Sequence, residues 1–108
     1  MLMDDILREA GIPGRETLYI DTPGGCYVSW GDEITADGSD FYNEVYTHRY
    51  TAYLFQPRDV ADDSAREALQ SVLDANGIRF TRQARIFYED LQYFCTTYTF
   101  DVVERRLI

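Results

Sequence analysis

The sequence predicts an α+β domain: a mainly antiparallel sheet of four to five strands with two helices on one face, in the order α-β-β-β-α-β-β. Three observations lead there. Apolar residues recur with helical spacing in two places, near the start and after residue 59. Two stretches, 41–55 and 87–100, hold most of the nine tyrosines and are dominated by aromatic and β-branched residues. Glycine, proline and Asn-Gly signals fall between these segments. With 108 residues and no linker or internal repeat, the expectation is a single domain over residues 1–108.

The elements follow in order. Residues 3–10 read as a helix, because Met3, Ile6, Leu7 and Ala10 fall at i, i+3, i+4 and i+7. Asp4 and Asp5 suit its first turn and Gly11 its end, and Ile12-Pro13-Gly14 reads as a turn. Residues 17–20 and 26–30 read as short strands on either side of a break at 21–25. Residues 31–40 carry Asp32, Glu33, Asp37 and Asp40 with two glycines, and predict an exposed acidic loop. The stretch 41–55 is the longest strand, with Tyr46, His48, Tyr50, Ala52 and Leu54 on one face, and 56–59 stops it. A helix then runs to about Asn76, its stripe formed by Ala65, Ala68, Leu69, Val72 and Leu73. Asp59, Asp62 and Asp63 crowd its start, and Asn76-Gly77 ends it. Residues 78–88 and 93–104 are two more strands joined by 89–92; Tyr98, Phe100 and Val102 point one way, Thr97, Thr99 and Asp101 the other.

Charge narrows the partners. Ten basic residues, all arginine, against nineteen acidic ones give a net charge of −9. Such a field repels phosphate backbones and anionic membrane surfaces, so neither nucleic acid nor a membrane is an expected partner. DNA sliding past without sticking is compatible with it. No apolar run approaches the roughly 18–20 residues that cross a bilayer, and the acidic first residues do not read as a signal peptide. Cys26 and Cys95 make no disulfide framework, and reduced thiols in the cytoplasm are the simplest expectation.

Catalytic patterns fail one by one. Cys26, Cys95 and His48 lack metal-ligand spacing, which leaves ordinary cysteines and a satisfied histidine. A Cys26–His48 pair is the one thiol–imidazole arrangement available. The acidic stretch lacks the D-x-[DN]-x-[DN]-G order of a calcium loop, and Gly24-Gly25 leads into a strand, not into a phosphate-binding helix start. No catalytic residue, metal or cofactor is predicted. The tyrosines are too many for a small core, so part of them should face a partner. Asp32, Glu33, Asp37, Asp40, Tyr46 and Tyr53 are the candidate assembly residues.

The order of motifs resembles a known family. Ala-Asp-Gly-Ser-Asp at 36–40 precedes a tyrosine-rich strand ending Tyr-Thr-Ala-Tyr-Leu-Phe at 50–55 and a charged helix stopped by Asn-Gly-Ile at 76–78. Ile-Arg-Phe-Thr at 78–81, Ile-Phe-Tyr-Glu at 86–89 and Tyr-Thr-Phe-Asp-Val at 98–102 follow. Gly-Ile-Pro at 11–13 with Tyr19, and Tyr27-Val28 beyond a proline break, complete the pattern. Together they resemble the small tail-completion or tail-terminator proteins of long-tailed phages and prophages. The chain departs from that pattern in Gly-Gly-Cys after Pro23 and in Ala-Asp-Gly at 36–38. The resemblance implies an α+β fold and a ring of identical copies, usually a hexamer, that caps the tail tube protein and docks to the head-connector protein. It implies assembly in the host cytoplasm and a place in the tail or neck of the virion. The competing readings are a small acidic cytoplasmic protein-binding module, either regulatory or a mimic of nucleic acid with its carboxylates along one face, and an enzyme using Cys26 and His48.

Overall fold

The structure, a computed structural model, describes residues 1–17, 24–39, 43–59 and 63–107. The elements are α1 (Met3–Ala10), β1 (Gly14–Glu16), β2 (Tyr27–Ser39), β3 (Asn43–Pro57), α2 (Ser64–Ala75), β4 (Phe80–Arg82), β5 (Ile86–Tyr88) and β6 (Tyr93–Leu107). They form a six-stranded sheet ordered β1-β2-β3-β6-β4, with β5 also pairing β6. Among the described residues, the β1–β2 pair is parallel and the other pairs are antiparallel. The fold is α+β and mostly antiparallel, as the sequence predicts.

β3 and β6 pair without interruption from Asn43↔Leu107 to Pro57↔Tyr93. A strand of this length spans roughly 50 Å at 3.4 Å per residue, which matches the long dimension of a molecule measuring 52 × 28 × 22 Å. The radius of gyration, 15.1 Å, exceeds the roughly 13 Å of a compact chain of this size. The excess comes from the sheet, which is longer than the helices beside it.

The predicted alternation holds in both long strands. His48, Tyr50, Ala52, Leu54 and Gln56 of β3 are buried on one face, and Thr96, Tyr98, Phe100 and Val102 of β6 lie beside them. Val28 and Trp30 of β2 extend this face, and Met3, Ile6 and Leu7 of α1 with Leu69 and Leu73 of α2 close over it. α1 starts with the Leu2 N–H donating to Asp5 Oδ2 at 3.3 Å and ends at Gly11, whose φ of 72° a side chain would strain. α2 ends similarly: Ile78 N–H donates to Leu73 O at 2.9 Å around Gly77.

One close approach fixes how α1 meets the sheet. A Cβ on Gly14 would collide with Leu7 Cδ1 and come within 3.3 Å of the Val28 carbonyl. Leu7 is 4% exposed and has little room to move. Gly14→Ala is expected to destabilise the fold by about 1–3 kcal/mol by overpacking, read as a lower urea midpoint at unchanged m-value.

The structure corrects four readings. Residues 31–39 are not a loop: they are the second half of β2, paired with β3 from Gly31↔Thr51 to Ser39↔Glu44, with a bulge at Asp37. The turn expected at 12–14 runs into β1, whose pairing with Val28–Trp30 begins at Gly14. Thr17, expected to begin a strand, is a bend with φ 67°, and residues 18–20 lie outside the described residues. The stretch 78–88 holds two short strands on either side of residues 83–85, which takes the sheet to six strands. The 89–92 connection is confirmed, and Gln92 adopts φ 57° where a glycine would have been easier.

Candidate functional site

Beyond the helices, the three long strands continue as an arm made of β2 from Gly31 on, β3 up to about Thr47 and β6 after Val102. His48 stands at its root. The imidazole is 4% exposed; Nδ1 lies 2.7 Å from Asp32 Oδ2 on β2 and Nε2 lies 2.8 Å from Glu104 Oε1 on β6. One side chain on the central strand thus bridges both neighbours. Both partners are carboxylates, so both nitrogens donate only when the ring is the imidazolium. Burial pulls its pKa down, but the hydrogen bonds and charges of Glu104 and Asp32 outweigh this, and the pKa stands above 6.5. Hydrogen bonds from His48 and then Arg106 hold Glu104 below 4.5.

The network runs on toward the tip. Arg106 Nε donates to the same Glu104 oxygen at 2.9 Å, and its guanidinium sits 4.4 Å over the Tyr46 ring. The Tyr46 hydroxyl donates to Glu44 Oε2 at 2.6 Å, and this hydrogen bond is the largest cause raising its pKa. At the root of the arm, on the other face of the sheet, Arg49 donates to Asp101 as a bidentate pair at 3.0 and 3.3 Å. On that face the Thr47 hydroxyl donates to Asp37.

The face of the sheet away from the helices holds an apolar groove of about 520 Å³, lined by Tyr27, Tyr53, Phe55, Tyr88, Leu91 and Cys95. Tyr27 and Phe55 stack at 4.9 Å in the groove, and Tyr93 beside it meets Tyr27 edge-on at 5.7 Å. The groove's rim is exposed: Tyr53 42%, Tyr88 44% and Leu91 56%.

The candidate residues scatter over these features. Tyr53 lies at the groove, Tyr46 in the arm network, and Asp32 beneath His48, where it is 10% exposed. Glu33 and Asp37 are exposed on the arm, and Asp40 lies outside the described residues. Glu104 was not among the candidates, though it continues the buried-face alternation Tyr98, Phe100, Val102. A histidine and a glutamate in register with apolar positions were the available signal. Cys26 sits just before Tyr27, eight residues along β2 from Ile34, the residue opposite His48, or roughly 27 Å at strand spacing. No thiol–imidazole pair forms there. Cys95 is buried, and burial raises its pKa. Among the described residues, no group of three His, Cys, Asp or Glu side chains could hold a metal ion.

The fold is shared with a virion chain. A chain in a structure described as the virion of a native gene transfer agent particle superposes with a TM-score of 0.51, covering 94% of this chain and 83% of that one. The two are 19% identical, so the likeness is one of fold. No protein-family model and no curated protein sequence matches this chain.

Proposed function

We propose that the protein is a structural component of a phage-like virion that terminates the tail tube or joins the tail to the head connector as a ring of copies. The observation that carries this reading is the amount of sheet its own helices leave open: an aromatic groove on one face and a three-stranded arm beyond the core. The shared fold with a virion chain and the motif order along the sequence support it. The net charge of −9 suits a ring through which DNA passes without binding. The nucleic-acid-mimic reading is less well supported. Carboxylates occur on α1 (Asp4, Asp5, Glu9), on α2 (Glu67, Asp74), in the 89–92 turn and on both faces of the arm, not along one face.

The test is light scattering of the purified chain across a concentration series, alone and with tail tube protein. Self-association, or capture by the tube protein, is expected. A strict monomer that ignores the tube protein would overturn the proposal. Tyr53→Ser is expected to weaken that capture at a cost to fold stability of only about 1 kcal/mol, because the side chain is 42% exposed on a central strand. Parallel binding and urea titrations separate the two effects.

A further inference from the structure

Among the described residues, two long strand edges carry no neighbouring strand. β1 covers β2 only at Val28–Trp30, and β4 covers β6 only at Tyr98–Phe100. Residues 31–39 of β2 and 101–107 of β6 have no strand along their outer sides among the described residues. Free edges of this length are templates for another strand, and soluble proteins ordinarily blunt them.

The backbone directions can be read from the covered parts. Val28 N–H donates to Pro13 O and Trp30 O accepts from Thr17 N–H, so even-numbered residues of β2 turn their backbone groups outward. Thr97 O accepts from Gln83 N–H, so odd-numbered residues of β6 do the same. The outward amides on the bare edges therefore belong to Asp32, Ile34 and Ala36 on one side, and to Asp101, Val103 and Arg105 on the other.

The two edges are chemically unlike. The β2 edge carries Asp32, Glu33 and Asp37 and no base, whereas the β6 edge balances Asp101 and Glu104 with Arg105 and Arg106. Across the shared register Gly38 and Arg105 stand level, both opposite Val45. Two β2 edges set acid against acid throughout, while a β2 edge against a β6 edge brings Asp37 to the height of Arg105 and sets Glu33 level with Asp101, whose charge Arg49 already pairs. Each edge also exposes apolar side chains: Ile34 at 54%, and Val103 and Leu107 at 55% and 86%. Both strands run antiparallel to β3, hence parallel to one another. A contact that repeats by rotation and closes into a ring of more than two copies must join unlike surfaces.

We propose that the outer edge of β2 pairs with the outer edge of β6 from a second copy of this chain, as a parallel ladder that merges the arms of successive copies into one sheet. This contact rests on the ring reading above and names its subunit interface.

Ile34→Pro and Val103→Pro each remove one outward N–H while leaving the ladder to β3 intact. Sedimentation of the full-length chain, alone and with tail tube protein, should show assembly beyond the dimer for the unmodified protein and monomers for each variant. An equimolar mixture of the two variants should give a dimer with one copy of each, because one supplies a sound β6 edge and the other a sound β2 edge. Three results overturn the proposal: self-association of Val103→Pro by itself, which marks pairing of like edges; assembly unaffected by either proline; or an unmodified chain that stays monomeric throughout. If circular dichroism shows that the prolines unfold the chain, Asp37→Arg and Arg105→Asp apply the same logic through charge, each weakened alone and restored in mixture. Assembly through these edges without tail tube binding removes the virion role and leaves the contact. Tail tube binding that neither proline disturbs removes the contact and leaves the role.

Discussion

Replacing His48 by alanine is expected to lower the unfolding free energy by about 3–5 kcal/mol, the usual cost of removing one partner from a buried charge cluster. The size follows from what is left behind. Asp32 is 10% exposed and Glu104 20%, and without the imidazolium between them two carboxylates face a buried gap. Glu104 keeps Arg106, but Asp32 Oδ1 has no hydrogen-bond partner among the described residues, so Asp32 carries most of the loss. Urea unfolding of His48→Ala against the parent measures it. The triple variant Asp32→Leu, His48→Leu, Glu104→Leu should recover most of the loss, because apolar groups of similar volume often replace a buried ion cluster at little cost. A triple variant as unstable as His48→Ala would show that ring packing, including the stack on Tyr50 at 5.6 Å, sets the effect.

The same cluster gives stability a defined pH window. The pKa of His48 is raised in the fold, so its contribution is fully present below 6.5 and lost as pH rises through the raised value. The pKa of Glu104 is lowered, so its contribution is fully present above 4.5 and lost as pH falls through the lowered value. The two together predict greatest stability between these limits. His48→Ala should flatten the alkaline side of the profile.

Leu69→Ala is the second large effect, at about 2–5 kcal/mol. Leu69 and Leu73 are both 0% exposed and are the residues of α2 fully inserted into the core. Truncating Leu69 opens a cavity that the sheet, paired on both sides, cannot collapse to fill. The Gln70 side-chain N–H donates to the Tyr98 hydroxyl at 2.8 Å and stays as a polar tether, so the helix should remain while its anchor weakens. A lower melting temperature, on the order of 10–20 °C, with unchanged far-UV dichroism is the expected readout.

How far the sequence could be read followed burial. β3, β6 and both helices were legible because each has one face in the core, which imprints a period on their residues. The second half of β2 was not, because no helix covers it: Glu33, Ile34, Thr35 and Asp37 are all exposed, so its period-two signal vanishes while its pairing remains. β1, β4 and β5 are too short to show any period. The His48 cluster draws on positions 16 and 56 residues apart, which no local pattern links. The aromatic groove was foreseen only as a surplus of tyrosine. That composition signals an interface without locating it.

The unbroken register of β3 against β6 bears on how the molecule would respond to force. A load along the strands strains every rung of that ladder in shear at once, so no single hydrogen bond becomes the weak link. A load across the tip peels the rungs one at a time. β2 differs, because its register slips at Asp37. The β3–β6 pair is therefore the stiff spar of the molecule, and the outer half of β2 is its compliant flange.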